Sequence, residues 1–182
     1  MNCRNRLYRV TRFLVLAVLY PALLGAQPAA LPESNPWDLQ HLFTPPKYQW
    51  VDQSGPVHSL KYEGEVYHGK PTSVFAYYAS PKTVGMETDR GKYPAIVLVH
   101  GGGGKAFSEW ALLWAKRGYV AVAMDLAGRG AAAKRLVDGG PDQSHDAKFH
   151  TIDGPLEDQW TYHAVANVIR GHSLLRHLDE VD

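Results

Sequence analysis

Apolar and polar positions change period several times along this chain, and each change marks an element. Residues 72–78 set Val74, Ala76 and Tyr78 against Ser73, Phe75 and Tyr77, the period of two expected of a strand. Residues 57–62 form a second β-rich stretch, and the polar EGEVYHGKP between the two predicts an antiparallel strand pair. The pattern then gives way to PAIVLVH, an apolar run without alternation, which predicts a parallel strand buried on both faces. Four glycines follow. Phe107, Trp110, Ala111 and Trp114 recur at i, i+3, i+4 and i+7, predicting a helix with one apolar face that closes at Lys116, Arg117 and Gly118. YVAVAM, residues 119–124, reads as a second buried strand, so strand, glycine turn, helix and strand make a βαβ unit.

Residues 125–156 are polar and glycine-rich, too long for an ordinary connection, and are read as a functional or mobile loop. Beyond them Trp160, Ala164, Val168, Gly171, Leu175 and Leu178 recur at spacings of 4, 4, 3, 4 and 3, a helical stripe. Upstream, Pro28, Pro32, Pro36, Pro45 and Pro46 disfavour regular structure, so residues 27–56 are read as an extended leader. Residues 1–26 carry Arg4, Arg6, Arg9 and Arg12, then a 12-residue apolar run over 13–24, then small residues. That is the layout of a secretory signal peptide cleaved after Ala26, and the run is shorter than the ~20 residues of a membrane span. The expected organisation is 1–26 signal peptide, 27–56 leader and 57–182 folded domain, with a secreted or periplasmic destination.

Removing the signal segment alters the charge balance. Four of the 19 Lys and Arg lie in it, so the remainder carries 15 against 18 acidic residues, a net of −3 with histidine neutral. Such a balance points neither to nucleic acid nor to an anionic membrane surface. The only cysteine is Cys3, so the exported chain would have no disulfide and would rely on a packed core.

VHGGGGKAFSEW places glycines where a buried strand yields to a helix, so backbone amides and the helix N-terminus can approach a negative oxygen with no Cβ in the way. A P-loop would need Ser or Thr after Gly104-Lys105, where Ala106 stands. A dinucleotide cradle remains an alternative: Gly101, Gly103 and Ala106 satisfy GxGxxA, and Asp125 ends the next strand where a ribose-binding acid would sit. The two β-rich stretches before the glycines and the exported character weigh against that oxidoreductase reading. A third use is an oxyanion hole for acyl transfer, and a fourth is a close strand-to-helix crossover without a ligand.

VLVHGGGG followed by a helix and then VAVAMDLAGRG resembles the first βαβ unit of α/β-hydrolases, whose HGGG-type turn forms one wall of the oxyanion hole. Within that superfamily, YHGKPTSVFAYYASP and the WxxxWAKRGYVAVAMDLAGRG run are similar to acetylxylan-esterase-like and dienelactone-hydrolase-like bacterial proteins. The resemblance covers residues 57–182 and is most specific at 100–104 and 125–130. It implies an α/β fold, the N-terminal part of an α/β-hydrolase, with no cofactor and no metal. Gly102 and Gly103 would offer amides to the oxyanion, and His100 would brace the turn. Asp125, Gly128, Arg129 and Gly130 would form the tight turn after the next strand. The implied substrate is a small-molecule or polysaccharide ester.

GHSL at residues 171–174 invites a reading of Ser173 as a nucleophile, but a nucleophile elbow keeps small residues on both sides of its serine and follows a strand. Here Leu175 replaces the second glycine and the helical stripe runs straight through Ser173. Ser54, Ser108 and Ser144 lie in no elbow either. In the resembled family this helix precedes a turn, a strand and only then the GxSxG serine, so the nucleophile and its Asp and His partners are expected beyond the chain, with LDEVD leading into that strand. His145, Asp146 and His150 lie close together without a recognised ligand spacing and are read as solvated loop. Trp37, Trp50 and Trp160 are candidate sugar platforms for a non-catalytic carbohydrate-binding module, although packing is the commoner use.

Overall fold

A computed structural model describes residues 35–87 and 91–182. The chain divides into two compact units, Met1–Asn35 and Pro36–Asp182, and the expected signal peptide lies outside the described residues. The second unit is a mixed five-stranded sheet with helices on both faces, an α/β architecture. Its strands are β1 (Tyr48–Asp52), β2 (His58–Glu63), β3 (Ser73–Ala79), β4 (Ala95–Val99) and β5 (Val120–Met124), in the order β1-β2-β3-β5-β4.

The expected hairpin is β2 with β3, antiparallel in register from His58↔Tyr78 to Glu63↔Ser73. The expected βαβ unit is β4, helix α2 (Ser108–Ala115) and β5, with the strands parallel from Ala95↔Val120 to Val99↔Met124. The two halves join where β3 runs antiparallel to β5. Burial on both faces of these two central strands matches their apolar sequence, and every residue of β5 is buried.

Each face has its own core. On one, Leu60, Tyr62, Val74, Tyr78, Val122 and Met124 meet Leu174 and Leu175 of helix α4 (Trp160–Leu175). On the other, Ala79, Ala121 and Ala123 meet Ala111 and Ala115 of α2. Small residues on both sides of that second contact let α2 settle closely on the sheet. The helix therefore turns Ala111 and Ala115 inward with Trp114 packed beside them, and of the apolar face the spacing predicts Trp110 is left partly exposed. On the first face Gly171 does similar work: a Cβ there would come within 3.3 Å of the Tyr62 hydroxyl and 3.6 Å of Val97.

The α4 stripe also differs from the expected one. Its buried face includes His163, Asn167, Arg170 and Ser173, four polar residues. Arg170 and Ser173 are tied by their side chains to distant segments, whereas Asn167 Oδ1 and His163 Nδ1 are buried without a hydrogen-bond partner among the described residues. Arg170 Nε donates to the Glu63 carbonyl at 2.8 Å, and Ser173 Oγ to the Leu42 carbonyl at 2.7 Å. The Tyr62 hydroxyl donates to the Asn167 carbonyl at 2.9 Å, and His163 Nε2 lies 2.8 Å from the Glu157 carbonyl.

The expectation of an extended leader is corrected: the segment holds helix α1 (Leu39–Phe43) and the edge strand β1. Asp38 caps α1, accepting from the His41 amide at 3.0 Å. Pro36 precedes the helix and Pro45 and Pro46 follow it, so the prolines bracket α1 without interrupting it. The long segment 125–156, read as a functional or mobile loop, holds short elements of its own. It contains a 3₁₀ turn at Ala131–Ala133 and a short helix α3 (His145–Phe149), and a second 3₁₀ turn follows at Leu156–Asp158. Asp138 anchors it to the sheet: its carboxylate takes bonds from Lys61 Nζ at 3.0 Å and from the Ser73 hydroxyl, and its carbonyl accepts from the Ser73 amide at 2.7 Å. The Ser73 bond, with help from Lys61, holds the Asp138 carboxyl below the usual range.

β4 departs from its sequence most of all. Its run predicts burial on both faces, yet its residues are half-buried and Val99 is 40% exposed, because only β5 pairs along its length and it forms the sheet's edge. Just before β4 an isolated parallel bridge joins Tyr93 and Val181: the Tyr93 amide donates to the Glu180 carbonyl at 2.9 Å, and the Asp182 amide to the Tyr93 carbonyl at 3.0 Å.

Candidate functional site

The parallel strands β4 and β5 end side by side, and the turns that follow them form one locus. The first is residues 100–107. Gly103 takes φ +75°, where a Cβ would be strained, and the turn closes as the Gly104 amide donates to the Gly101 carbonyl at 3.1 Å. Gly104 is also sterically required, since a Cβ there would lie 2.7 Å from His100 Nδ1. Gly101, Gly102 and Gly103 are exposed.

His100 belongs to the first turn by sequence and to the second by bonding. It is 4% exposed; Nδ1 lies 2.9 Å from the Gly101 carbonyl, and Nε2 lies 3.0 Å from the Leu126 amide. An acceptor on one side and a donor on the other assign the neutral tautomer with hydrogen on Nδ1. Both ring nitrogens are thus committed to backbone, the geometry of a brace. In the second turn, Asp125 Oδ2 accepts from the Ala127 amide at 2.7 Å and from the Arg129 amide at 2.8 Å, and the residue is 3% exposed. Arg135 clasps the same turn, Nη1 donating to the Ala127 carbonyl at 2.5 Å and Nη2 to the Gly140 carbonyl. The Trp160 indole donates to the Leu126 carbonyl at 2.7 Å.

The two glycine amides singled out from the sequence differ. Gly103's donates to Gln143 Oε1 at 3.1 Å, whereas Gly102's has no hydrogen-bond partner among the described residues. Lys148, on α3, brings its Nζ within 3.7 Å of where a Gly102 Cβ would stand, adding positive charge beside that amide. Gln143 and Lys148 lie about 40 residues downstream of the glycines, and no local pattern marked them. A negative oxygen held at Gly102 would meet one free N–H and an ammonium, an arrangement that stabilises developing charge.

Other candidates are placed less favourably. Asp125, the would-be ribose ligand, commits Oδ2 to its own turn, and β5, which would be the second strand of a dinucleotide fold, is flanked by antiparallel β3 where such a fold has a parallel strand. Ser173 is a helical residue bonded to a carbonyl, 3% exposed. Ser144 caps α3, its Oγ accepting from the Ala147 amide. Trp37 stacks on Tyr162 with its indole donating to the Tyr162 carbonyl, and Trp50 packs edge-on against Tyr78 at 5.2 Å, so these rings are engaged in packing. Unlike a featureless solvated loop, His145, Asp146 and His150 converge, their ligand atoms all within 4.8 Å of one another. Among the described residues no helix is long and apolar enough to cross a membrane.

No protein-family model matches the chain, and no curated protein matches it in sequence. Solved structures do. The chain shares its fold with part of acetyl xylan esterases: it is similar to acetyl xylan esterase 1 from Thermoanaerobacterium sp. JW/SL YS485, with TM-score 0.55 and 20% identity over 81% of this chain and 48% of that one. It is also similar to an acetyl xylan esterase from Paenibacillus sp. R4, with TM-score 0.53 and 22% identity over 79% of this chain and 46% of that one. The chain spans about half the length of the solved structures it matches.

Proposed function

We propose that the chain is the front half of a serine-type carboxylic ester hydrolase acting on acylated carbohydrate, carrying the oxyanion turn but not the nucleophile. The observation that carries this is β4, a strand with the apolar run of a central strand that lies at the edge of the sheet among the described residues, with an isolated parallel bridge at Tyr93↔Val181 beside it. A further parallel strand beside β4 would bury that edge and end next to the glycine turn, where a serine would meet the free amide. The fold similarity to acetyl xylan esterases supports the reading. In the reaction, a serine outside this chain attacks the ester carbonyl, a histidine takes its proton and returns it to the leaving alcohol, and water then releases the acid. Gly102 steadies the oxyanion, with Lys148 beside it. Gly103, assigned the same role from sequence, contributes its amide only if Gln143 withdraws.

Two measurements test this. The 182-residue chain should hydrolyse p-nitrophenyl acetate no faster than buffer, and activity abolished by Ser173→Ala would overturn the reading. The reading frame beyond codon 182 should encode a strand and a GxSxG serine; in that longer protein Gly102→Pro, which removes the amide, should lower kcat by about 10²–10³-fold. We propose also that residues 1–26 direct export, which N-terminal sequencing of the mature protein tests by the presence of Gln27 at its start.

A further inference from the structure

We propose that His145, Asp146 and His150 form a binding site for a divalent late-transition-metal ion such as zinc, separate from the glycine turn. Nδ1 of His150 lies 3.2 Å from Asp146 Oδ1, and Nδ1 of His145 lies 3.7 Å from the same oxygen. The two imidazole rings meet at 5.1 Å between centroids, nearly perpendicular. Two ligands at zinc–nitrogen or zinc–oxygen distances of ~2.1 Å around a tetrahedral ion stand about 3.4 Å apart. The Asp146–His150 edge is already close to that length, and His145 needs only a small side-chain rotation to join it.

The local structure explains the convergence. Asp146 and His150 stand at i and i+4, one turn apart on the same helical face, and His145 borders Asp146 at the start of α3. Lys148, about 160° around the helix from Asp146 and His150 at 100° per residue, brings its Nζ to the glycine turn and away from those two ligands. The side chains are 65–83% exposed, so beyond their mutual ion pairs little restrains them. An exposed His–Asp pair is by itself a weak interaction. Two imidazoles aimed at one carboxylate oxygen instead bring three potential ligand atoms around a common point, any proton on either Nδ1 leaving or moving to Nε2 as an ion binds.

The donor set selects the ion. Imidazole with carboxylate suits zinc, cobalt or nickel, while calcium and magnesium prefer all-oxygen shells. Three protein ligands leave at least one position for water or a small anion. His150 also lines a cleft of about 200 Å³ shared with Tyr67, His68 and Asp158, so there is room beside the ion for that further ligand.

Calorimetric titration of the untagged full chain with zinc chloride tests the site. One zinc per chain is expected, with affinity lowered about tenfold or more in His150→Ala and abolished in the His145→Ala/His150→Ala double variant. His172→Ala, an exposed helical histidine elsewhere, should bind as the parent does. Cobalt substitution should give visible absorption bands that the double variant lacks, and far-UV circular dichroism should be unchanged because all three side chains are at the surface. Zinc binding that survives the double variant, a parent that binds no zinc, or calcium bound as tightly as zinc would overturn the proposal. None of these readouts depends on the ester reaction.

Discussion

The turns that follow β4 and β5 start from adjacent parallel strands and both rely on a left-handed glycine, yet they are built on opposite plans. The turn after β4 is exposed; a Cβ on Gly103, at φ +75°, would meet nothing within 4 Å. The turn after β5 is packed solid: a Cβ on Gly128, at φ +62°, would collide with Arg135 Nη1 and lie 2.6 Å from the Gly140 carbonyl oxygen. One turn leaves the Gly102 amide without a partner among the described residues, and the other bonds its amides and carbonyls to Asp125, His100, Trp160 and Arg135. His100 joins them, so the rigidity of the second turn positions the first. This division suits the oxyanion role proposed for the glycine turn, because a donor fixed in advance does not reorganise when charge appears.

The largest test of the contrast is Asp125→Ala, which leaves two amides of the packed turn without their charged acceptor. A loss of about 3–5 kcal/mol is expected in urea denaturation, from two bonds to a charged group at ~1.5–3 kcal/mol each. Next comes a matched pair. Gly128→Ala should cost about 3 kcal/mol, combining left-handed strain with a backbone collision, whereas Gly103→Ala should cost about 1 kcal/mol from strain alone. Equal costs would erase the distinction between the turns. Gln143→Ala should cost about 1 kcal/mol and speed hydrogen exchange at the Gly103 amide, since that amide loses its side-chain acceptor. If exchange there is unaltered, Gln143 does not hold the glycine turn.

The smallest expected effect is a pH dependence away from both turns. Burial pushes the pKa of His163 below its ordinary value, and Nδ1 has no hydrogen-bond partner among the described residues. The folded state therefore keeps the ring neutral, while the unfolded chain takes up a proton near pH 6.5. The stability tied to this group is fully present above that pH and falls as the pH drops below it, because the unfolded state then binds more protons. Thermal unfolding at about pH 7.5 and about pH 5.5 should show a decline that is shallower in His163→Gln. An identical decline in both proteins would remove His163 as its source.

Much of the fold was legible in local pattern. The alternation at residues 72–78, the apolar runs of β4 and β5 and the glycine turn between them give the hairpin and the βαβ unit directly, because strand periodicity and backbone freedom are properties of neighbouring residues. α1 and β1 were not legible. Prolines dominate the segment, and whether they break a helix or bracket it depends on spacing that Asp38 settles by capping. The buried polar face of α4 was hidden for a different reason: Arg170 and Ser173 look like surface residues until the carbonyls of Glu63 and Leu42 arrive beside them. At the candidate site, His100, Gly102 and Gly103 announced themselves, whereas Gln143 and Lys148 carried no local mark.

The order of residues alone determined the β2–β3 pair, the β4–α2–β5 unit with its glycine turn, and that Ser173 sits in a helix, since these follow from period and from steric freedom within a few residues. Only the tertiary structure decided which glycine amide is free, what holds Asp125 and Arg135 in place, and that two histidines and an aspartate meet on α3. Those outcomes depend on groups brought together from separate segments or on the exact path of a short helix, and hydrogen bonds a few ångströms long are set by that packing.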